Sequence, residues 1–201
     1  MLKQPAESLA ADLLGTTLVR RLPSGLILRG RIVETEAYIG VRDRASHAFG
    51  GRRTPRNEAM YAQPGKAYVY FTYGMHFCFN VVCAEAGDPQ AVLIRAVEPL
   101  DGVEEMRLRR GLSGTTSDRL IASGPARLCE AFAIDRDLNA VDLVTSDRLW
   151  LESCGRAVRR PIRTPRIGVD YAGAWAKRLL RFVDPETRHS SRSSPRRAKN
   201  A

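Results

Sequence analysis

Residues 30–80 open on GRIVETEAYIG (30–40), pass a lone His47 and GGRRTPRN (50–57), and close on YVYFTYGMHFCFN (68–80). The first segment, extended back to Gly25, has the β-branched, alternating character of a strand. In an extended chain Ile32, Glu34, Glu36 and Tyr38 point to one face, and Val33, Thr35 and Ala37 to the other. The last segment predicts a β-hairpin, Ala67–Thr72 and His76–Ala84 around Tyr73-Gly74-Met75, with Gly74 at the turn. A third apolar run, Ala91–Val97, carries one charge, Arg95. Residues 40–57 form a long Gly/Arg loop, and long connections inside a compact domain are more often functional than idle.

Outward from this region the pattern is mixed. A short amphipathic helix is expected from Ala6 to Leu14, stopped by Gly15. Asp101 followed by Glu104 resembles a capping box that starts a helix ended by Gly111. Ser123-Gly124-Pro125 starts another, reaching about Ala133. Short strands are expected around Leu149–Leu151 and at Arg166–Val169. Strands mingle with helices without βαβ alternation, which argues for a single mixed α+β domain, residues 1–183, with an antiparallel sheet. From Asp184 onward the Ser/Arg/Pro composition lacks the apolar residues of a core, so 184–201 is expected to be a disordered basic tail.

The net charge of +10 is concentrated. Residues 1–155 hold 19 Lys+Arg against 19 Asp+Glu, whereas residues 156–201 hold 13 basic and 3 acidic groups. A basic block on a balanced body points to a phosphate-rich partner and argues against a carbohydrate hydrolase. No apolar run reaches the roughly 18–20 residues that span a membrane. The N-terminus, interrupted by Glu7 and Asp12, is a poor secretory signal. A reducing, cytoplasmic setting is therefore expected, with a bacterial, nucleoid-associated location. Cys78, Cys83, Cys129 and Cys154 include no CxxC pair, and only three histidines are present, so buried free thiols are expected rather than a zinc site.

Several side chains invite chemistry. Glu34 and Glu36, on one strand face, would place carboxylates roughly 7 Å apart, about the separation that holds water against a glycosidic carbon in inverting hydrolases. Tyr38 and His47 lie close by in sequence. Tyr73 at a hairpin tip packs on the sheet or forms a wedge that fills the gap left by an extruded nucleotide. Arg42, Arg44, Arg52, Arg53 and Arg56, with only Asp43 among them, suit phosphate contacts. Arg95 inside an apolar strand needs a partner, and Glu34 and Glu36 are the candidates. Acid or base chemistry against stacked rings, beside a polyanion, fits nucleic-acid base chemistry. A non-catalytic DNA binder and an RNA-directed module are the alternatives of other classes.

GRIVETEAYIG, His47, GGRRTPRN, YVYFTYGM and IRAVEPL (94–100), with SGPARLCEAFAI (123–134) and RIGVDYAGAWAKRLLRF (166–182), together closely resemble the alkyladenine (3-methyladenine) DNA glycosylase family. The resemblance covers about residues 6–183. It implies a compact α+β domain with a curved, mostly antiparallel sheet flanked by helices, and neither metal nor cofactor. It further implies base-excision-repair hydrolysis of alkylated purines in double-stranded DNA by a monomer with no membrane and no obligate protein partner. Glu36 then matches the catalytic base and Arg95 an active-site arginine. Tyr38, His47 and Tyr70 match the walls of the base pocket, and Asn80 the residue that screens a purine 2-amino group. Tyr73 matches the intercalating wedge, with Met75, His76, Arg52, Arg53 and Arg56 on the DNA side. Position 76 is His where that family pattern leads one to expect an aromatic residue.

Overall fold

The computed structural model describes residues 2–153 and 158–191. Cys154 and the basic residues Arg192, Arg196, Arg197 and Lys199 lie outside the described residues. Among the described residues eight strands form one sheet: β1 (Thr17–Arg21), β2 (Ile27–Ile39), β3 (Ala67–Thr72), β4 (His76–Cys83), β5 (Gln90–Asp101), β6 (Leu149–Glu152), β7 (Ile162–Thr164) and β8 (Arg181–Val183). The main path runs β3-β4-β5-β2-β1-β6, and every pairing is antiparallel. Strand β2 is the axis. Along one edge it pairs with β5; along the other, β1 covers Ile27–Arg31 and β8 covers Glu34–Glu36. Among the described residues three short α-helices pack on this sheet: α1 (Ala6–Asp12), α2 (Val103–Arg109) and α3 (Pro125–Ala131). The architecture is mixed α+β with an antiparallel sheet. No described helix is long and apolar enough to cross a membrane.

The main core lies between the sheet and the helices. Leu9 and Leu13 at the N-terminal helix meet Ile32, Ala37, Ile94, Phe79 and Phe132, all fully buried. Thr35 faces the same side, its hydroxyl donating to the Ala10 carbonyl at 2.7 Å. Cys78, Cys83 and Cys129 are buried free thiols.

The β2–β5 ladder has three register shifts, and two of them, beside the glutamates, adjust the sequence alternation. Ile32 pairs with Val97 and Glu34 with Ala96, so Val33 has no register partner on β5. One step further Glu34 pairs with Ala96 and Thr35 with Ile94, leaving Arg95 as the extra residue on β5. A bulge reverses the facing of everything on one side of it. Ile32 therefore joins Thr35 and Ala37 on the core face, not the face of Glu34 as strict alternation predicts. Glu34, Glu36 and Tyr38 keep a common face.

Other expectations change for local reasons. Asp101 does not cap α2. It ends β5 and pairs with Arg29, and Gly102, with φ of 73°, occupies the cap position without a side-chain bond. Arg166–Val169 forms no strand, because Arg166 is buried by an ion pair with Asp43 and Gly168 takes a φ of 75°. Residues 184–191 are placed, with Asp184 and Ser191 buried, because hydrogen bonds to buried charges hold them where apolar packing is lacking. Part of the basic block is paired within the fold: Arg163 with Glu7 at the surface, and Arg166 with Asp43 and Arg181 with Glu34 further in.

Candidate active site

The bulged stretch of β2 and β5 sits under a cavity of about 190 Å³. Tyr38 from β2, His47 from the Gly/Arg loop, Tyr68 and Tyr70 from β3, Asn80 from β4 and Arg95 from β5 contribute to its wall. The loop at Ile167–Val169 closes the opposite part, with Tyr171 beyond it. Sheet geometry explains the convergence: side chains two apart on a strand share a face, so Tyr68 and Tyr70 rise on the side that Glu36 and Tyr38 occupy.

Glu36 is fully buried and lies behind this wall rather than on it. Its Oε2 accepts from the Tyr38 hydroxyl at 3.0 Å and stands 3.3 Å from Arg95 Nη1. Its Oε1 accepts the backbone N–H of Ile167 at 2.8 Å. Burial, then the neighbouring Glu36 charge, raises the Tyr38 phenol well above its ordinary pKa, so it stays a donor. Burial disfavours the Arg95 charge, but Glu36 and Glu34 outweigh it and raise the guanidinium further.

The two glutamates are not an acid/base pair with a water-sized gap. Arg95 bridges them: its Nε donates to Glu34 Oε1 at 3.0 Å while Nη1 faces Glu36. Glu34 is also bound by Arg181 at 2.7 Å. Two fully buried carboxylates thus share two guanidiniums, which is how such charges are tolerated away from water.

His47 stands at the mouth. Its Nδ1 is 2.7 Å from the Tyr68 hydroxyl, and its ring meets Tyr70 edge-on at 4.6 Å. Burial of the inner side, then Arg56 and Arg52, lowers its pKa, which makes it a neutral imidazole at pH 7. Asn80 is buried and donates to the Tyr68 carbonyl at 2.9 Å. Asp43, at the start of the same loop, grips Arg166, whose guanidinium lies 4.6 Å from the Tyr38 ring centre.

Above the cavity the β3–β4 hairpin turns tightly. Met75 N–H donates to Thr72 C=O at 3.3 Å, and both central residues have positive φ: Tyr73 at 50° and Gly74 at 69°. That is the primed geometry of two-residue hairpins, natural for Gly74 and uncommon for a tyrosine. Tyr73 is 84% exposed and Met75 69% exposed, with His76 half-buried beside them. Tyr73 therefore does not pack on the sheet.

The arginine loop divides. Arg53 is engaged with Glu58 and lies over Tyr61. Arg56 donates to the Phe71 carbonyl and lies 5.7 Å from the Tyr70 ring centre. Arg44, Arg52 and Arg56 line a groove with Phe49 and Tyr171 that leads to His47.

The Methylpurine-DNA glycosylase family model matches residues 1–188. The chain belongs to the methylpurine-DNA glycosylase family. It is 49% identical over 187 residues to the DNA-3-methyladenine glycosylase of Homo sapiens, covering 89% of this chain and 62% of that protein. To the Mus musculus protein of the same name it is 49% identical, covering 89% of this chain and 56% of the relative. A putative 3-methyladenine DNA glycosylase of Methanocella arvoryzae is 49% identical over 192 residues, 96% of this chain and 94% of its own length. The chain thus spans about six tenths of the mammalian relatives and nearly all of the archaeal one.

Tyr38, His47, Tyr70, Asn80 and Arg95 share the cavity, Glu36 stands directly behind it, and Tyr73 and Met75 stand at the hairpin tip. Asp43, Arg166, Tyr171 and the Ile167 N–H are parts of the site to which the sequence patterns assign no role. Asp43 carried a signal: a lone carboxylate among five arginines is a candidate for burial against one of them.

Proposed function

We propose that this chain is a monofunctional DNA glycosylase that acts as a monomer on double-stranded DNA. It flips alkylated purines of the 3-methyladenine type into the cavity and hydrolyses the N-glycosidic bond, leaving an abasic site. The observation that carries this reading is the Glu36 carboxylate held at the back of a tyrosine-rich cavity by Tyr38, Arg95 and the Ile167 N–H. The cavity, at about 190 Å³, is below the roughly 300–1,000 Å³ of sites for drug-sized ligands and suits one planar base.

The chemistry follows from the site. Breaking an N-glycosidic bond builds oxocarbenium character on the sugar, which a carboxylate stabilises while it deprotonates water. A carboxylate oxygen has two acceptor positions, and Glu36 Oε1 uses one on Ile167, so the other serves water. A cationic alkylated purine leaves without needing a proton and is attracted to the faces of Tyr38 and Tyr70. A neutral His47 removes the repulsion that an imidazolium would impose on that base. Asn80, Met75, His76, Arg52, Arg53 and Arg56 take the base-screening and backbone-contacting roles expected of them.

Tyr73 serves as the plug for the vacated stack. Holding a tyrosine at positive φ costs on the order of 1 kcal/mol, the kind of strain that persists at functional sites. Tyr73→Ala is expected to weaken lesion-duplex binding and slow excision of a paired lesion, with a smaller loss when the lesion is mispaired and flipping costs less. Tyr73→Gly, which relieves the backbone, should behave the same way because the ring is what matters. Equal losses on paired and mispaired lesions in single-turnover assays would remove the wedge role.

The deciding experiment is product analysis on duplexes carrying single defined lesions. Enzymes that also nick the strand attack the sugar with an amine. Among the described residues no lysine lines the cavity, and Lys3 and Lys66 are paired with Glu85 and Asp142. The expected product is an intact strand with an abasic site, broken only by hot alkali. Borohydride trapping of a covalent protein–DNA adduct would overturn the water mechanism. Tight lesion binding with no base released would favour a non-catalytic binder.

A further inference from the structure

The charge cluster behind the cavity is completed by the part of the chain that composition had set aside. From β8 the chain turns at Asp184, whose N–H donates to the Val33 carbonyl at 3.0 Å and whose carboxylate pairs with Arg31 at 2.5 Å. It then runs to Ser191, which is 7% exposed. All three polar parts of Ser191 meet charged groups. Its N–H donates to Glu34 Oε2 at 2.5 Å, and its hydroxyl donates to Glu34 Oε1 at 2.6 Å. The same hydroxyl oxygen lies 3.4 Å from Arg95 Nε and 3.3 Å from Arg95 Nη2, placed to accept from the guanidinium. Its carbonyl accepts from Arg181 Nη2 at 3.3 Å.

We propose that Ser191 is a positioning residue for excision: it clamps Glu34 and steadies Arg95, and through Arg95 it fixes the Glu36 carboxylate. The proposal rests on Glu36 acting as the base. Among the described residues the Ser191 N–H is the only donor to Glu34 Oε2, so this contact decides how the carboxylate is turned. Glu34 so turned presents Oε1 to Arg95 and Arg181 together. Arg95 can then reach Glu36 only with Nη1, at 3.3 Å, the longest contact of the cluster's ion pairs. A small rotation of Arg95 breaks that contact first. The hydroxyl of Ser191, which meets Arg95 Nε and Nη2 while Glu36 faces Nη1, opposes such a rotation. Loss of the hydroxyl lets Arg95 settle on Glu34 and withdraw from Glu36.

The test is Ser191→Ala in the full chain, assayed by single-turnover excision from a duplex carrying one 7-methylguanine, with lesion-duplex affinity measured beside it. The expected result is a rate about tenfold lower with affinity unchanged. Ser191→Thr, which keeps the hydroxyl, is expected to restore the rate. Should the alanine variant melt near the assay temperature, Ser191→Cys, of similar size with a weaker donor, carries the same test. An unchanged rate would overturn the proposal. So would a slower rate that comes with an equal loss of affinity or that Ser191→Thr fails to restore, which marks a purely structural contact. Glu36→Gln on the same duplex separates the two levels: if it still excises, the base assignment itself has failed, whatever Ser191→Ala does.

Discussion

Glu36→Gln is expected to fold, to bind lesion-containing duplex at least as well as the parent chain, and to lose excision. General-base assistance contributes roughly 10²–10⁴ in rate, so the single-turnover rate should fall by about 100-fold or more, near 2.7 kcal/mol of barrier. The structural cost is bounded by the bonds that Glu36 makes. A glutamine can turn its oxygen to the Tyr38 hydroxyl and Arg95, but its amide NH₂ then faces the Ile167 N–H, donor against donor. One unsatisfied buried pair costs about 1–3 kcal/mol, inside the usual 5–15 kcal/mol of a domain. Arg95 keeps Glu34 as its counterion, so the guanidinium is not stranded. Removing one negative charge beside a polyanion's docking face favours binding, which is why affinity should hold or rise while chemistry stops. A rate within about tenfold of the parent, or 1.4 kcal/mol, would move the base elsewhere. Glu34 is then the first suspect, although its four protein donors leave it little room for water.

How much of this site can be read from the chain depends on which physical rule governs each residue. Strand period 2 placed Glu34, Glu36 and Tyr38 on one face, and the requirement that a charge in an apolar strand be paired joined Arg95 to both glutamates. The hairpin with Gly74 at its turn followed from equally local rules. The bulges at Val33 and Arg95 were not legible, because an extra residue in a ladder leaves hydrophobic alternation looking intact on either side of it. Gly102 displaced Asp101 as the start of α2 for a tertiary reason: a Cβ there would lie 2.5 Å from Leu28 Cδ2, a contact that no local cap rule anticipates. Ser191 shows the limit of composition. A segment poor in apolar residues cannot build a core, yet it can be held by hydrogen bonds to a buried carboxylate 157 residues away. Ile167 contributes a backbone N–H, and a backbone donor has no side-chain signature at all.

The largest effect on stability is expected from Asp43→Ala. Asp43 and Arg166 are both fully buried in their side chains and paired through two contacts, at 2.5 and 2.8 Å. Asp43 also accepts the backbone N–H groups of Ile39 and Ala45, at 3.2 and 3.0 Å, so one carboxylate ties the end of β2, the start of the His47 loop and the segment from Arg166 together. Arg166 adds a bond to the Ala37 carbonyl at 2.9 Å and lies against the Tyr38 ring. Its pKa shows the balance: burial works against the charge, and the hydrogen bonds and charge of Asp43 more than reverse this. Removing Asp43 leaves a guanidinium in the interior with no counterion and two backbone donors unpaired, and breaking a buried pair from one side costs about 3–5 kcal/mol. Denaturant midpoints with an unchanged slope would report that loss. Replacing both partners with apolar residues of similar shape, Asp43→Leu with Arg166→Met, should recover a large part of it, since no charge is then stranded. The two variants should nevertheless share a functional defect. The Ile167 N–H that holds Glu36 is the next residue along from Arg166, so excision should slow even in the double variant, below its melting range. Recovery of stability together with full excision would mean that the pair supports the fold alone. Recovery of stability without excision would make Asp43 and Arg166 the mount on which the Glu36 carboxylate is aimed.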